Sequence, residues 1–158
     1  MRRLLSVLVV GFVMACAVGP AVSAAPPERQ MIGRFMGQTV VDFETQRCSF
    51  VYQTFSATYR DASGDTGRFR LAGCVEIGTG FTYSGTLLLT PPGGVQVTGT
   101  VAGTVYGTTP PFPCAAPSGG PASLQFTLTP DTGAVITLLG TWCPGETQRD
   151  PILGVLSS

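Results

Sequence analysis

Residues 81–105 read FTYSGTLLLTPPGGVQVTGTVAGTV, and this stretch decides the fold. Every second position over 81–89 is apolar or glycine, and the same alternation continues over 95–105. Thr, Ser and Gln fill most positions between them, so each half predicts a β-strand with one buried and one solvent-exposed face. The Pro-Pro-Gly-Gly sequence at 91–94 predicts a turn, and the whole stretch therefore predicts a β-hairpin.

The alternation extends over most of the remaining chain, and no helical period competes with it. Within 48–59 the apolar positions change parity, which predicts a β-bulge near Gln53-Thr54. Short strands joined mostly by hairpin-length turns predict an all-β, antiparallel up-and-down β-barrel of seven to eight strands. A barrel is favoured because its closure leaves no exposed sheet edge. The alternative is a two-layer β-sandwich. The further predicted strands cover 32–43, 48–59, 69–77, 124–128, 134–142 and 152–156.

The N-terminal segment predicts export. Residues 1–24 combine two early arginines, an apolar run over 4–17 and small residues at the end, as in a cleaved signal peptide. We expect an exposed leader over 25–31, a single barrel domain over 32–158, and no transmembrane segment in the mature chain. The predicted location is secreted or associated with the cell envelope; the alternative is a lipoprotein anchored through Cys16.

Four cysteines remain once Cys16 is set aside. An even number in an exported chain predicts two disulfides, and four cysteines allow three connectivities. Closure between neighbours in sequence favours Cys48 with Cys74 and Cys114 with Cys143. The sequence has no close Cys-x-x-Cys pair, so no metal site is predicted.

The composition excludes several classes of function. Lys, His and Asn are absent, which removes His-dependent catalysis, Schiff-base chemistry and a P-loop. Beyond residue 24 the chain has seven Arg against nine acids, 7 − 9 = −2, so a basic nucleic-acid surface is not expected. No cofactor is predicted, and the oligomeric state is left open. The sequence identifies no catalytic residues.

The inward face of the predicted barrel is the first candidate for a binding site. Missing side chains at Gly73, Gly85, Gly99 and Gly103 should leave a void for a small apolar ligand, unless these glycines mark bends where coiling brings the walls together. Replacement of Gly99 by Leu should then block ligand uptake and leave the fold intact. The candidate ligand-binding residues are Tyr52, Phe81, Tyr83, Val97, Gly99, Tyr106 and Trp142.

A second candidate lies on the outward face. Arg68, Arg70 and Glu76 share the polar side of one predicted strand. This arrangement is typical either of an anion-binding cluster or of a solvated outer face.

Several short pieces together resemble the allene oxide cyclase barrel-like proteins, a calycin-like group that includes plant cyclases and bacterial polyketide cyclases. They are Phe35 with Val40-Val41-Asp42-Phe43, the turn at 65–69, Phe81-Thr82-Tyr83-Ser84-Gly85-Thr86, and Thr132-Gly133 followed by Gly140. The resemblance implies a barrel around a mainly apolar cavity for lipid-like or polyketide molecules. The plant cyclases use a Glu with an Asn-held water; this chain has no Asn, and the resemblance does not assign that Glu to Glu76.

Three functions follow as expectations. The first is binding of a small apolar ligand without chemistry. The second is a cyclase or isomerase that acts by shaping its substrate, and the third is a cell-envelope structural or protein-interaction module whose interior is filled. Interior volume separates the first two functions from the third.

Overall fold

The computed structural model describes residues 30–44, 47–114, 121–145 and 149–158. The predicted export signal, Cys16 and most of the predicted leader lie outside these ranges. The strands are β1 (Met31–Asp42), β2 (Val51–Asp61), β3 (Thr66–Ile77), β4 (Phe81–Thr90), β5 (Val97–Gly107), β6 (Ala122–Pro130), β7 (Ile136–Trp142) and β8 (Asp150–Ser157).

The eight strands form one closed antiparallel barrel in which each strand pairs with the next in sequence and β8 pairs with β1. The up-and-down barrel predicted from the period of two is therefore confirmed, with eight strands, and the sandwich alternative is wrong. Met31, placed in the leader by the sequence, begins β1 and pairs with Ser157. Among the described residues we find no helix that could span a bilayer.

The connections divide the barrel into two different ends. At the hairpin end, short turns follow β2, β4 and β6, and both termini of the barrel meet where Gln30 and Ser158 exchange backbone hydrogen bonds. At the disulfide end, the connections after β1 and β5 are longer, and two cross-links join them to the wall.

Both disulfides have the favoured connectivity. Cys48–Cys74 joins the β1–β2 connection to β3, with Cα atoms 5.3 Å apart. Cys114–Cys143 joins the β5–β6 connection to the residue after β7, with Cα atoms 5.7 Å apart. Two disulfides fit an oxidising or extracellular compartment.

Aromatic side chains fill the middle of the barrel. Phe55, Tyr83 and Phe126 contact one another with ring centroids 5.0 to 5.3 Å apart, and all three are buried. Leucines from opposite walls, among them Leu71 and Leu138, complete the core around them. This arrangement follows from strict alternation, because every second residue of each strand points inward.

The inward glycines leave no void of the kind expected from the sequence. A Cβ added at Gly73 would overlap the backbone carbonyl oxygen of Ser84, and one added at Gly99 would overlap that of Thr129. Gly85 and Gly103 meet carbonyl oxygens of their neighbours in the same way. The glycines therefore mark places where coiling brings adjacent strands together, which was the alternative interpretation.

Two local predictions are wrong. Val51, Gln53 and Phe55 all point inward in unbroken register with β1 and β3, so no bulge occurs near Gln53. Val95 is not part of a strand face; it lies in the β4–β5 turn and is 84% exposed.

Candidate functional site

The disulfide end of the barrel contains a chain of four aromatic rings. Phe50 contacts Phe81 with centroids 5.6 Å apart, Phe81 contacts Tyr106 at 4.8 Å, and Tyr106 contacts Trp142 at 4.8 Å. Such offset and edge-to-face pairs each add about 0.5–1.5 kcal/mol beyond the area they bury. The rings come from the ends of strands β4, β5 and β7 and from the residue before β2, so they form a belt around this end.

Tyr106 reaches the belt through an irregular backbone. Its φ is 59°, a left-handed conformation that costs a non-glycine residue about 1–3 kcal/mol. The β5–β6 register shifts between Thr104 and Gly107, so a β-bulge follows buried Val105 and brings the next side chain over the barrel end. Burial, and to a smaller extent the nearby Asp150 carboxylate, together raise the pKa of Tyr106 to about 12.

Asp150 is the buried acid of this end, with 7% of its surface exposed. Its Oδ2 accepts a 3.0 Å hydrogen bond from Trp142 Nε1, and its Oδ1 accepts a 2.8 Å bond from the backbone N–H of Gly145. Both carboxylate oxygens therefore have donors. The geometry assigns Asp150 a structural task, holding the start of the β7–β8 connection.

A polar chain lies deeper in the barrel. Gln53 Nε2 donates to Thr39 Oγ1 at 3.1 Å, and the Thr39 hydroxyl donates to the Thr54 carbonyl oxygen at 3.0 Å. Tyr83 donates its hydroxyl proton to the carbonyl oxygen of Gln53 at 3.0 Å, and burial raises the Tyr83 pKa well above its usual value. Gln53 itself is 0% exposed, and its Oε1 accepts no hydrogen bond among the described residues.

The predicted ligand-binding residues lie in four different places. Phe81, Tyr106 and Trp142 come together at the disulfide end, and Tyr83 lies inside near the middle. Tyr52 points outward on β2, opposite Asp42 and Cys74. The last two, Val97 and Gly99, lie near the hairpin end of β5, away from the aromatic belt.

Sequence reasoning missed the buried polar residues Thr39, Gln53 and Asp150. Gln53 occupies an inward position between Val51 and Phe55, and Asp150 occupies one two residues before Ile152. Strict alternation through each strand would have found both. Within the described ranges no group of three His, Cys, Asp or Glu side chains comes together around a common point.

The outer surface is uneven in charge. Within the described strands, all arginine side chains point outward from β1, β2 and β3. They are Arg34, Arg60, Arg68 and Arg70. Strands β4 to β7 contain no Asp, Glu, Lys or Arg. Glu76 is exposed at the disulfide end of β3, opposite Thr82.

The structure defines an eight-stranded, antiparallel up-and-down β-barrel with two disulfides at one end and a core of packed aromatic and aliphatic side chains. Comparison with known protein families, with curated proteins and with solved structures found no match.

Proposed function

We propose that this chain is an exported β-barrel interaction module that recognises its partner with its outer surface and loops, while the filled interior acts as a rigid scaffold. The observation that supports this most directly is the packing of Phe55, Tyr83 and Phe126 across the middle of the barrel. These rings occupy the space in which a ligand or substrate would have to lie.

The pockets support the same proposal. A groove of about 660 Å³ lies on the outer face of strands β1 to β4, and a smaller pocket of about 220 Å³ lies near the start of β1 and the end of β2. Neither of these two pockets among the described residues is inside the barrel. Binding sites for small molecules usually measure about 300–1,000 Å³, so the larger groove has the size of a binding site.

The cyclase alternative, implied by the resemblance to the allene oxide cyclase barrel-like proteins, has less support. Glu76 is exposed on the outside of β3, where it faces no enclosed substrate. The buried carboxylate of Asp150 already accepts two hydrogen bonds, from the Trp142 indole and the Gly145 backbone N–H, so both of its oxygens are used by the protein itself.

Two measurements on the full, disulfide-bonded protein test the proposal. Native mass spectrometry of protein purified from its own host and extensively dialysed, which would release a small ligand from the open outer groove, should give the mass of the polypeptide alone. Fluorescently labelled protein should bind envelope preparations of the host saturably, in competition with unlabelled protein. Leu71→Met, a volume-conserving change in the interior, should leave this binding unchanged. A retained small molecule together with no saturable envelope binding would overturn the proposal.

A second candidate is binding of a small ligand at the disulfide end, and Gln53 Oε1 specifically favours it. A buried carbonyl oxygen without a donor costs about 1–3 kcal/mol, and a ligand or water that donates to it would recover that cost. The aromatic belt of Phe50, Phe81, Tyr106 and Trp142 would cover such a ligand. The same mass measurement distinguishes this candidate: a bound mass that disappears in Gln53→Met would support it.

A further inference from the structure

We propose that the outer groove of strands β1 to β4 binds a small organic anion in which a carboxylate or phosphate group is joined to an apolar chain. This inference rests on the proposed function as an outer-surface binding module, and it names the chemistry of the ligand. The groove has a volume of about 660 Å³, and its walls include Met36, Gln38, Arg68, Arg70, Leu88 and Gln96.

The positive charge of the groove comes from two neighbouring arginines. Arg68 and Arg70 are exposed on the same face of β3, and residues two apart on a strand are separated by about 7 Å. Arg68 lies between Thr58 and Thr90 on the adjacent strands. Arg70 lies between Ser56 and Leu88. No acid therefore stands opposite either guanidinium group.

The surroundings add further positive charge. Arg60 is diagonal to Arg68 across the β2–β3 pair, and Arg34 lies directly opposite Arg60 across the β1–β2 pair. Like charges opposite each other destabilise a sheet. Among the described residues, none of these four guanidinium groups has an ion pair or hydrogen bond. Arg34 and Arg60 line the smaller neighbouring pocket with Asp61, so the anion itself would contact Arg68 and Arg70, whose guanidinium groups offer paired N–H donors to carboxylate or phosphate oxygens.

The apolar part of the ligand has its own contacts. Met36 is 75% exposed on β1, and Leu88 is half-buried on β4, so the two provide apolar surface on either side of the arginines. Gln38 and Gln96 also line the groove and add amide donors. Donors at the centre and apolar surface at the edge fit a ligand with one charged head and a short apolar chain.

Overall charge does not account for anion binding. The chain beyond residue 24 carries a net charge of 7 − 9 = −2, so a nonspecific attraction would favour cations. Anion binding, if measured, therefore has to come from the local arrangement of Arg68 and Arg70.

Titration of the full disulfide-bonded protein with defined probes tests the inference, with binding followed by amide NMR shifts. Octyl phosphate and octanoate should bind and shift amides of β1 to β4. Octyl glucoside, which keeps the chain without the charge, should bind at least tenfold more weakly, and so should inorganic phosphate, which lacks the chain. Arg68→Gln and Arg70→Gln should each weaken the binding of octyl phosphate at least fivefold. Arg47→Gln removes the same charge from an exposed site at the disulfide end, and it should change the affinity for octyl phosphate less than twofold.

Several results would overturn the inference: equal binding of octyl glucoside and octyl phosphate, equal effects of Arg47→Gln and Arg68→Gln, or binding to anionic phosphatidylglycerol vesicles with none to the soluble anions. Melting curves of each variant show that the fold is kept. If the anions do not bind the groove, the packed interior and the envelope-binding test of the proposed function are not affected. A ligand found inside the barrel would contradict the proposed function without altering the groove titration.

Discussion

Trp142 Nε1 donates a 3.0 Å hydrogen bond to Oδ2 of Asp150, and these two residues are the last of β7 and the first of β8. The same carboxylate accepts a hydrogen bond from Gly145 N–H. Cys143, beside this network, is tied to Cys114, and the Thr141 hydroxyl exchanges hydrogen bonds with the backbone of Phe112. One buried carboxylate thus fixes the strand ends on which the β5–β6 connection is anchored.

Asp150→Asn should lower the free energy of unfolding by about 1.5–3 kcal/mol, the usual contribution of a hydrogen bond to a charged group. The amide NH₂ would face a donor, either Trp142 Nε1 or Gly145 N–H, and one of the two bonds would be lost. Urea unfolding measures the effect, with Asp65→Asn in the exposed β2–β3 turn as the matched control. Equal stability of the two variants would show that the Asp150 network contributes nothing.

The stability of the barrel should fall at alkaline pH, partly through Tyr106. The pKa of Tyr106 is about 12 in the folded protein against an ordinary 10.0, so between these values the unfolded chain loses the proton more readily. The stabilisation is fully present below pH 10 and is lost as the pH rises toward 12. Tyr106→Phe should therefore lose less stability than the wild type over this range.

Thermal unfolding at a series of pH values checks the Tyr106 prediction. Phe81→Leu is the control, because it removes ring packing against Tyr106 and leaves the titrating hydroxyl in place. It should lower the melting temperature at every pH by a similar amount. If Tyr106→Phe gave the same alkaline slope as the wild type, ionisation of Tyr106 would not be linked to folding.

Removal of either disulfide should destabilise the protein strongly. Cys48 and Cys74 close a loop with a sequence separation of 26, and Cys114 and Cys143 one of 29. The chain-entropy treatment gives about 3–4 kcal/mol for loops of this size, or on the order of 10 °C in melting temperature. The paired replacements by Ala should each show this loss in calorimetry, and reduction of the wild type should show a larger one. A melt that reduction leaves unchanged would contradict the prediction.

The fold could be predicted because the information for it is local. Alternation over 81–105 defines a hairpin, and its repetition with short turns defines an antiparallel meander that closes. The two disulfides also join neighbours in sequence, which made their pairing accessible. Tyr106 could not be assigned in this way, since the bulge that turns it over the barrel end depends on pairing across the long connection between β5 and β6.

The filled interior could not be predicted from the pattern. A glycine on an inward face leaves space only if neighbouring strands stay apart, and strand separation is a property of the whole barrel. Gly140 and Gly154 illustrate this, because the ring of Phe35 from β1 packs against both. Gln53 was missed because the change of apolar parity within 48–59 suggested a bulge there, whereas the strand is regular and buries the Gln53 amide in a hydrogen bond to Thr39.

The stability of the Gly99→Leu variant distinguishes a barrel with a filled interior from one with a cavity. A Cβ at residue 99 would overlap the Thr129 carbonyl oxygen and lie 2.7 Å from the Pro130 Cα, so β5 and β6 would have to move apart. We expect a loss of at least about 2 kcal/mol, in the range of overpacked cores. Gly80→Leu is the control, since nothing lies within 4 Å of a Cβ there. Urea unfolding compares the two variants. Equal stability would mean that the wall can open at residue 99, and the interior would then again be a candidate for ligand binding.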